Sequence, residues 1–174
     1  IFDAYGTLFD VNSAAEKCKD KIGDKWEGFA NYWRTTQLEY TWLRSLMKRH
    51  KDFWQVTEDS LDKSMKAYKI DSSMRNELLD LYKILSPYSE VPEILRSIKK
   101  KDFKLAILSN GTPALLNELV KSNNLENLFD DLFSIEEVGI YKPDSKVYDI
   151  PIKKYQIQKN EVAFLSANTW DVSG

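Results

Sequence analysis

Residues 103–113 read FKLAILSNGTP, and they give the clearest indication of the fold class. After Lys104 it contains a short apolar run without polar alternation, which is typical of a strand buried on both faces of a parallel sheet. The run ends in a polar turn, SNG, and Thr112 with Pro113 then supplies an N-cap and a first helical residue. The stretch therefore predicts a strand that leads through a turn directly into a helix.

Further strands and helices follow the same order toward the C-terminus. The runs DLFSI and EVAFLSA each predict a short strand, and a helical pattern over residues 145–155 follows a loop that contains YKPD. The chain also opens on a short apolar run that predicts a strand. Strands that alternate with helices predict a doubly wound α/β domain with a parallel, Rossmann-like sheet. Pro151 inside the helical pattern is expected to kink or shorten that helix.

From Ser13 to about Leu85 the chain carries only helical signals. The stretches FANYWRTTQLEYTWLRSLMKRH, TEDSLDKSMKAYKI and DSSMRNELLDLYKIL have apolar residues at helical spacing. Ser13 and Glu16 have the spacing of a capping box that begins the first helix. We therefore predict a helical subdomain at residues 10–87, inserted into a core made of residues 1–9 and 88–174.

The composition is that of a globular chain without a strong electrostatic field. Of the 174 residues, 43% are hydrophobic, so the chain can bury a substantial core. The 25 basic and 27 acidic residues nearly balance, which argues against binding to nucleic acid or to an anionic membrane surface. No apolar run approaches the roughly 18 residues that span a bilayer, and we expect no cleavable signal and no membrane partner.

The chain has one cysteine and one histidine, and these numbers indicate the cellular compartment and argue against one class of metal site. The single cysteine, Cys18, excludes an intrachain disulfide and fits a reducing compartment, so we expect a cytoplasmic protein. The single histidine, His50, lies in a basic, polar stretch and is expected to be exposed. One histidine with one cysteine argues against a zinc site.

Polar residues follow each predicted strand at the point where the strand ends. Asp3 follows the first strand, Ser109 with Asn110 follows the second, and Lys142 lies in the loop after the third. The residues after the last strand are Ser166, Asn168 and Asp171. Each motif alone is compatible with ordinary turn or helix-start chemistry. Ligands of parallel sheets bind beyond the carboxyl ends of the strands, so four such loops together predict one functional site.

The motifs DAYGT, LSNG, YKPD and FLSANTWD, in this order around a helical insert, resemble those of the haloacid dehalogenase superfamily. The stretch YWRTTQLEYTWLRSLM resembles the cap subdomain of the L-2-haloacid dehalogenases, also called haloacid dehalogenase type II. The resemblance covers nearly the whole chain and implies a Rossmann-like catalytic core, a helical cap and a homodimer. The chain begins inside a predicted strand and stops after a polar cluster, so we expect both termini to be truncated.

The resemblance makes Asp3 the nucleophile. An aspartate carboxylate is ionised at neutral pH and can attack phosphorus, or a carbon that bears a leaving group, to form a covalent ester. Superfamily phosphatases carry a second aspartate two residues later, which protonates the leaving alcohol, and Tyr5 occupies that position here. A halide leaves as a stable anion without a proton. Tyr5 therefore favours a dehalogenase over a phosphatase.

The resemblance also assigns residues to the charged parts of the substrate. Arg34 of the cap and Asn110 would bind the departing halide. Ser109 and backbone amides near Tyr5 would bind the substrate carboxylate, in keeping with anion binding at strand-to-helix turns. Lys142 would lie close to the nucleophile, keep it ionised and orient it. By itself, an arginine on a helix or a lysine in a loop would be expected at the surface.

Further positions match by resemblance alone. The residues that would position the nucleophile and the hydrolytic water are Thr7, Ser166, Asn168 and Asp171, with Asp171 activating the water. The residues that would line the alkyl part of the substrate are Tyr5, Leu38, Phe53 and Trp170. Tyr148 also matches a substrate-site position. These apolar and aromatic residues are equally candidates for ordinary core packing.

The sequence thus predicts hydrolytic dehalogenation of short L-2-haloalkanoic acids to D-2-hydroxy acids, through an aspartyl ester and with inversion at C2. The expected partner is the small haloacid, and neither a metal nor an organic cofactor is expected. Three alternatives stay open at this point. They are a Mg-dependent phosphatase or phosphonatase of the same superfamily, a defluorinase that acts on fluoroacetate, and a non-catalytic or inactive fragment.

Overall fold

The computed structural model describes all residues from Ile1 to Gly174. The chain forms two compact units. The first, here called the core unit, contains Ile1–Asp10 and Pro87–Gly174, and the second, here called the insert unit, contains Val11–Ser86. The assignment of these units as a catalytic core at 1–9 and 88–174 and a cap subdomain at 10–87 stays a prediction.

The insert unit is built from five helices. They are α1 (Ser13–Lys17), α2 (Lys19–Ile22), α3 (Trp26–Met47), α4 (Phe53–Tyr68) and α5 (Arg75–Lys83). Helix α3 packs along α4. Its Trp33 is buried, with its ring centroid 5.2 Å from that of Tyr82 on α5. Asp52 caps the start of α4 by accepting a hydrogen bond from the backbone N–H of Gln55.

The predicted capping box at Ser13 and Glu16 is wrong. Ser13 is the first residue of α1, and Asn12 occupies the N-cap position without a side-chain cap bond. The hydroxyl of Ser13 instead accepts a hydrogen bond of 3.0 Å from the backbone N–H of Ser86. The Ser13 side chain thus bonds to a residue 73 positions away in the sequence, whereas the local spacing predicted a bond to the end of the helix.

The core unit alternates helices with short parallel strands. In chain order it contains α6 (Val91–Lys99), β1 (Ala106–Ser109), α7 (Pro113–Ser122), β2 (Asp131–Ser134), α8 (Ser145–Tyr155) and α9 (Thr169–Ser173). The two strands are parallel, with Ala106 opposite Asp131 and Ser109 opposite Ser134. All four residues of β1 are buried, as its uninterrupted apolar sequence predicts. The predicted α/β class with a parallel sheet is confirmed.

The first and last predicted strands are shorter than expected. Each is reduced to a single parallel bridge, because Phe2 bridges to Ile107 on one side and to Leu165 on the other. The first segment is short since the chain turns directly after Asp3, where the carbonyl of Ala4 accepts the N–H of Leu8 at 2.9 Å. The bridges nevertheless order the parallel segments as 165, 2, β1 and β2, so the predicted loops follow neighbouring segments.

The two helices that follow the strands begin as predicted. Thr112 caps α7 by accepting the N–H of Leu115 at 3.3 Å, and Pro113 is its first residue. Helix α8 starts at Ser145 and continues past Pro151 to Tyr155, so the expected shortening does not occur. No helix of the chain has both the length and the apolar character needed to cross a membrane.

Candidate active site

The nucleophile candidate, Asp3, is buried at the carboxyl end of the first parallel segment, with 5% of the residue exposed. Its backbone N–H donates to the carbonyl of Leu165 at 2.9 Å, which ties it into the sheet. The next residues form a tight turn in which Gly6 has a φ of 86°, a backbone conformation that favours glycine. The turn presents the carboxylate rather than continuing the strand.

Three side chains donate hydrogen bonds to this carboxylate. The Nζ of Lys142 lies 3.0 Å from Oδ1 of Asp3. The Thr7 hydroxyl and the Nδ2 of Asn168 both donate to Oδ2, each at 2.9 Å. Each carboxylate oxygen offers about two acceptor positions, so Oδ2 is fully engaged while Oδ1 retains one. Oδ1 is therefore the oxygen available for attack.

Lys142 joins two buried carboxylates. The residue is 1% exposed, and its Nζ also donates to Oδ2 of Asp171 at 2.9 Å. The ring of Phe164 lies against the ammonium group, with 5.0 Å between Nζ and the ring centroid. Burying a charge is costly unless it is paired and hydrogen-bonded, and here both neighbouring carboxylates pair with the lysine. The lysine therefore supplies the positive charge that this acidic site requires.

Asp171 is held from its other side by Tyr148. The phenol donates to Oδ1 of Asp171 at 2.6 Å and lies 3.0 Å from the backbone carbonyl of the same residue. Burial raises the pKa of the Tyr148 phenol far above its usual value, and the carboxylates of Asp171 and Asp3 raise it further. The phenol consequently stays protonated and acts as a donor to Asp171.

The turn after β1 presents two further polar side chains. Ser109 and Asn110 are both buried. The Oδ1 of Asn110 accepts the backbone N–H of Lys142 at 3.1 Å, so its amide nitrogen is directed away from that bond and can donate to an anion. The hydroxyl of Ser109 accepts the N–H of Gly111 at 3.0 Å, and its own proton can still be donated.

Tyr5 packs directly on this turn. It is buried, and a Cβ placed on Gly111 would lie 2.9 Å from Cε2 of the Tyr5 ring. Only a residue without a side chain leaves room for this contact. The backbone carbonyl of Tyr5 accepts a hydrogen bond of 3.3 Å from the Nδ2 of Asn168. The Tyr5 ring therefore lies against the turn that carries Ser109 and Asn110.

The last loop is connected to the first by Thr7. The Thr7 hydroxyl accepts the N–H of Ala167 at 3.0 Å while it donates to Asp3. Ser166 accepts the N–H of Asn168 at 3.2 Å, which orders the turn before α9. Helix α9 then carries Trp170, which is half-buried, and Asp171.

The predicted site residues divide between the two units. The core unit joins the following residues in one connected set of hydrogen bonds: Asp3, Thr7, Asn110, Lys142, Tyr148, Ser166, Asn168 and Asp171. Tyr5 joins this set through its backbone carbonyl, and the remaining candidates of the core unit are Ser109 and Trp170. In the insert unit, Arg34 and Leu38 lie half-buried on α3, and Phe53 is the buried first residue of α4. The functional role of each residue stays a prediction.

Three residues next to these side chains were missed by sequence reasoning. Ser134 is buried and donates to the carbonyl of Gly111 at 2.7 Å, Phe164 contacts Lys142, and Gln37 accepts a hydrogen bond from Arg34. Ser134 could have been found, because it ends β2 as Ser109 ends β1 and the two are paired in register. His50, which was expected to be exposed, is half-buried.

The structure contains no group of three or more His, Cys, Asp or Glu side chains arranged to hold a metal ion.

Comparison with known proteins places the chain in a family. The model of a hydrolase family described as haloacid dehalogenase-like hydrolase matches residues 1–174. The chain belongs to the haloacid dehalogenase-like hydrolases.

Among these haloacid dehalogenase-like hydrolases, the chain is similar to named dehalogenases. It is 42% identical to (S)-2-haloacid dehalogenase of Pseudomonas sp. (strain YL), over 99% of this chain and 75% of that protein. It is 36% identical to haloacetate dehalogenase H-2 of Moraxella sp. (strain B), over 99% of this chain and 78% of that protein. The predicted resemblance to the L-2-haloacid dehalogenases is confirmed.

The chain is also similar to a solved structure that contains a covalently bound small molecule. That structure is L-2-haloacid dehalogenase from Xanthobacter autotrophicus with chloropropionic acid covalently bound. It superposes with a TM-score of 0.90 at 36% identity, and the match covers 98% of this chain and 70% of that one.

Proposed function

We propose that this haloacid dehalogenase-like hydrolase converts short L-2-haloalkanoic acids to D-2-hydroxy acids through an ester of Asp3. The observation that carries the proposal is the buried Asp3 carboxylate, in which Oδ2 is fully hydrogen-bonded and Oδ1 retains an open acceptor position. The similarity to named dehalogenases, one of them solved with covalently bound chloropropionic acid, supports the same chemistry.

In the first half-reaction, Oδ1 of Asp3 attacks C2 of the substrate opposite the halogen. The new carbon–oxygen bond forms as the carbon–halogen bond breaks, the halide leaves with the electron pair, and C2 inverts. Lys142, Thr7 and Asn168 reduce the motion of the attacking carboxylate, so less entropy is lost on the way to the transition state. We assign the halide to Arg34 and Asn110 by resemblance.

The substrate must also be held by its carboxylate. We assign this group to the Ser109 hydroxyl and to backbone amides near Tyr5, where a strand-to-helix turn offers exposed donors. The residues that we assign to the alkyl part of the substrate are Tyr5, Leu38, Phe53 and Trp170. Both groups lie next to Gly111. The Ser109 hydroxyl accepts its backbone N–H, and the Tyr5 ring packs against it.

In the second half-reaction, water attacks the carboxyl carbon of the Asp3 ester. Oδ1 is then the ester oxygen and Oδ2 the carbonyl oxygen, on which negative charge develops. Thr7 and Asn168 already donate to Oδ2, so they act as an oxyanion hole that needs no rearrangement. The carboxyl carbon–Oδ1 bond breaks, Oδ1 leaves with C2 as the product hydroxyl, and the water oxygen remains in Asp3.

The attacking water must lose a proton, and we assign that proton to the carboxylate of Asp171, which returns it to Oδ1 as the product hydroxyl forms. The second proton of the water is released when Asp3 ionises again. Lys142 and Tyr148 each donate to one of its oxygens, which leaves one acceptor position on each. Ser166 orders the turn that carries Asn168 and Asp171. This general-base step is the part of the mechanism in which Tyr148 acts, through its hydrogen bond to Asp171.

Two features favour dehalogenation over phosphate ester hydrolysis. Tyr5 occupies the position of the proton-donating acid and is packed against Gly111, and an alcohol leaving group needs a proton that a halide does not. The ammonium of Lys142 already supplies a positive charge beside Asp3 and Asp171. A singly charged haloacid requires less additional positive charge than a phosphate dianion. We therefore propose a reaction without a metal or an organic cofactor.

Homodimer formation and a cytoplasmic location are parts of the same proposal. The homodimer is proposed by resemblance to the family. The cytoplasm is proposed because the one cysteine, Cys18, is a buried free thiol, which fits a reducing compartment. Sedimentation velocity of the purified protein would give the mass of one chain or of two, and a single-chain mass at micromolar concentration would contradict the dimer.

The proposed function is tested by halide release from L- and D-2-chloropropionate in the presence of EDTA. We expect release from the L enantiomer alone, and a loss of about 10³-fold or more in Asp3→Asn, because the nucleophile is removed. Asp131→Asn is the matched control, since this aspartate lies at the amino end of β2 and accepts from Tyr155. Release that persists in Asp3→Asn, or hydrolysis of phosphomonoesters that requires Mg²⁺, would contradict the proposal.

A further inference from the structure

Gln37 is a buried polar residue of the insert unit with 1% exposure, and it lies one helical turn after Arg34 on α3. The Oε1 of its side chain accepts a hydrogen bond of 3.1 Å from Nη1 of Arg34. A guanidinium group on a half-buried arginine thus has a neutral, buried acceptor beside it. Gln37 holds this guanidinium without bringing a negative charge of its own.

The orientation of the Gln37 amide is determined by Thr57 on α4. The Nε2 of Gln37 donates to Oγ1 of Thr57 at 2.7 Å. The Thr57 hydroxyl donates its only proton to the carbonyl of Phe53 at 2.7 Å, so toward Gln37 it can only accept. This requires the amide nitrogen of Gln37 to face Thr57 and its oxygen to face Arg34.

Tyr82 completes the environment of the amide. Its hydroxyl lies 3.0 Å from Nε2 and 3.2 Å from Oε1 of Gln37. A hydroxyl can serve as donor or acceptor, so it satisfies the amide without reversing the orientation that Thr57 imposes. Because the amide is buried and fully bonded, turning it would leave polar groups without partners. The acceptor presented to Arg34 is therefore rigid.

We propose that Gln37 is a positioning residue for Arg34 and that it determines how strongly the departing halide is stabilised. This inference rests on the proposed function, in which Arg34 binds the halide. An amide oxygen orients the guanidinium without adding a negative charge, whereas a carboxylate at this position would neutralise part of the guanidinium charge. Gln37 does not contact the reacting atoms, and it acts through Arg34.

The proposal predicts that chloride release and bromide release respond differently to a loosened Arg34. Chloride is a poorer leaving group than bromide, so breaking the carbon–chlorine bond depends more on a positive group that stabilises the developing anion. Loosening Arg34 should therefore slow release of chloride more than release of bromide. Ordinary destabilisation of the fold would slow both reactions by the same factor.

The test is single-turnover halide release from L-2-chloropropionate and L-2-bromopropionate with enzyme in excess. Gln37→Met has nearly the same size and lacks the acceptor. We expect chloride release to fall about tenfold, as for the loss of one hydrogen bond to a charged group, and bromide release to fall about threefold. Ser64→Ala is the control, because it removes another buried hydroxyl of α4 whose bond is to the carbonyl of Ser60.

Two further variants keep the test decisive. Thr57→Val removes the acceptor for Nε2 and should shift the bromide-to-chloride ratio in the same direction, which also covers the case that Gln37→Met does not fold. In an Arg34→Lys background, Gln37→Met should leave the ratio unchanged, because the group that it positions is gone.

The results separate this inference from the proposed function. If the wild-type protein releases no halide in a manner that depends on Asp3, the proposed function fails. If the wild type is active but the ratio is the same in Gln37→Met and in Thr57→Val, the positioning role fails. A ratio shift of equal size in the Arg34→Lys background would also overturn it, since Gln37 would then act without Arg34.

Discussion

Removal of the Tyr148 hydroxyl should separate the two half-reactions. Tyr148→Phe deletes the donor that lies 2.6 Å from Oδ1 of Asp171 and leaves Lys142 as the remaining side-chain donor described for this carboxylate. A hydrogen bond to a charged group contributes about 1.5–3 kcal/mol, which corresponds to a rate change of roughly 13- to 160-fold. The loss should fall on ester hydrolysis, because that is the step in which we propose that Asp171 accepts a proton.

The assay is rapid quenching with enzyme and L-2-chloropropionate at comparable concentrations, with halide and 2-hydroxy acid measured separately. In Tyr148→Phe we expect a halide burst of normal rate and amplitude, followed by slow appearance of the hydroxy acid. Burial and the carboxylate of Asp171 raise the pKa of the phenol, so the wild-type donor persists through neutral and mildly alkaline pH. The difference between variant and wild type should therefore be constant between about pH 6 and pH 9.

Tyr155→Phe is the matched control for this experiment. Tyr155 ends the same helix, α8, and its hydroxyl donates to Oδ2 of Asp131 at 2.7 Å. Burial and the carboxylate of Asp131 raise its pKa as well, so the same chemical change is made in a similar environment. A burst that is slowed as much as turnover in Tyr148→Phe, or a change of the same kind in Tyr155→Phe, would refute the assignment of Tyr148 to ester hydrolysis.

Three other predictions follow from the core unit. Lys142→Met leaves the carboxylates of Asp3 and Asp171 without their shared ammonium, so the free energy of unfolding in urea should fall by about 3–5 kcal/mol, and a loss below 1 kcal/mol would contradict the pairing. Gly111→Ala brings a methyl group to 2.9 Å from the Tyr5 ring, so stability should fall by about 1–3 kcal/mol in the same assay and KM for the haloacid should rise; unchanged values would mean that the turn yields freely. A single turnover in ¹⁸O-water should put the label into Asp3, as read by peptide mass spectrometry, and label that appears first in the product would indicate direct attack of water on C2.

Local sequence patterns correctly predicted a helix start where the capping side chain and the N–H that it binds lie close together in the sequence. Thr112 with Pro113 correctly predicted the start of α7, because a cap and the N–H that it binds lie three residues apart. Ser13 had equally good local spacing and was predicted wrongly, since its partner is Ser86. A single sequence contains no information about which distant donor will compete for a side chain.

The site was predicted by a rule about topology rather than by local pattern. In parallel sheets, ligands bind beyond the carboxyl ends of the strands. This rule and the family resemblance together selected Asp3, Lys142 and Asp171. The structure joins these three residues by hydrogen bonds. Neither the rule nor the resemblance could show that one lysine serves both carboxylates. Gln37 was missed because the orientation of its buried amide is set by a residue on another helix, Thr57.

The bonds to Asp3 also have a consequence for the order of folding. Its partners Lys142 and Asn168 lie 139 and 165 residues later in the chain. Contacts of such long sequence separation form late, because a large loop must close first. On the ribosome the aspartate emerges long before the groups that orient it. The nascent chain therefore carries an Asp3 side chain without these hydrogen bonds until residues as far as Asn168 have been synthesised.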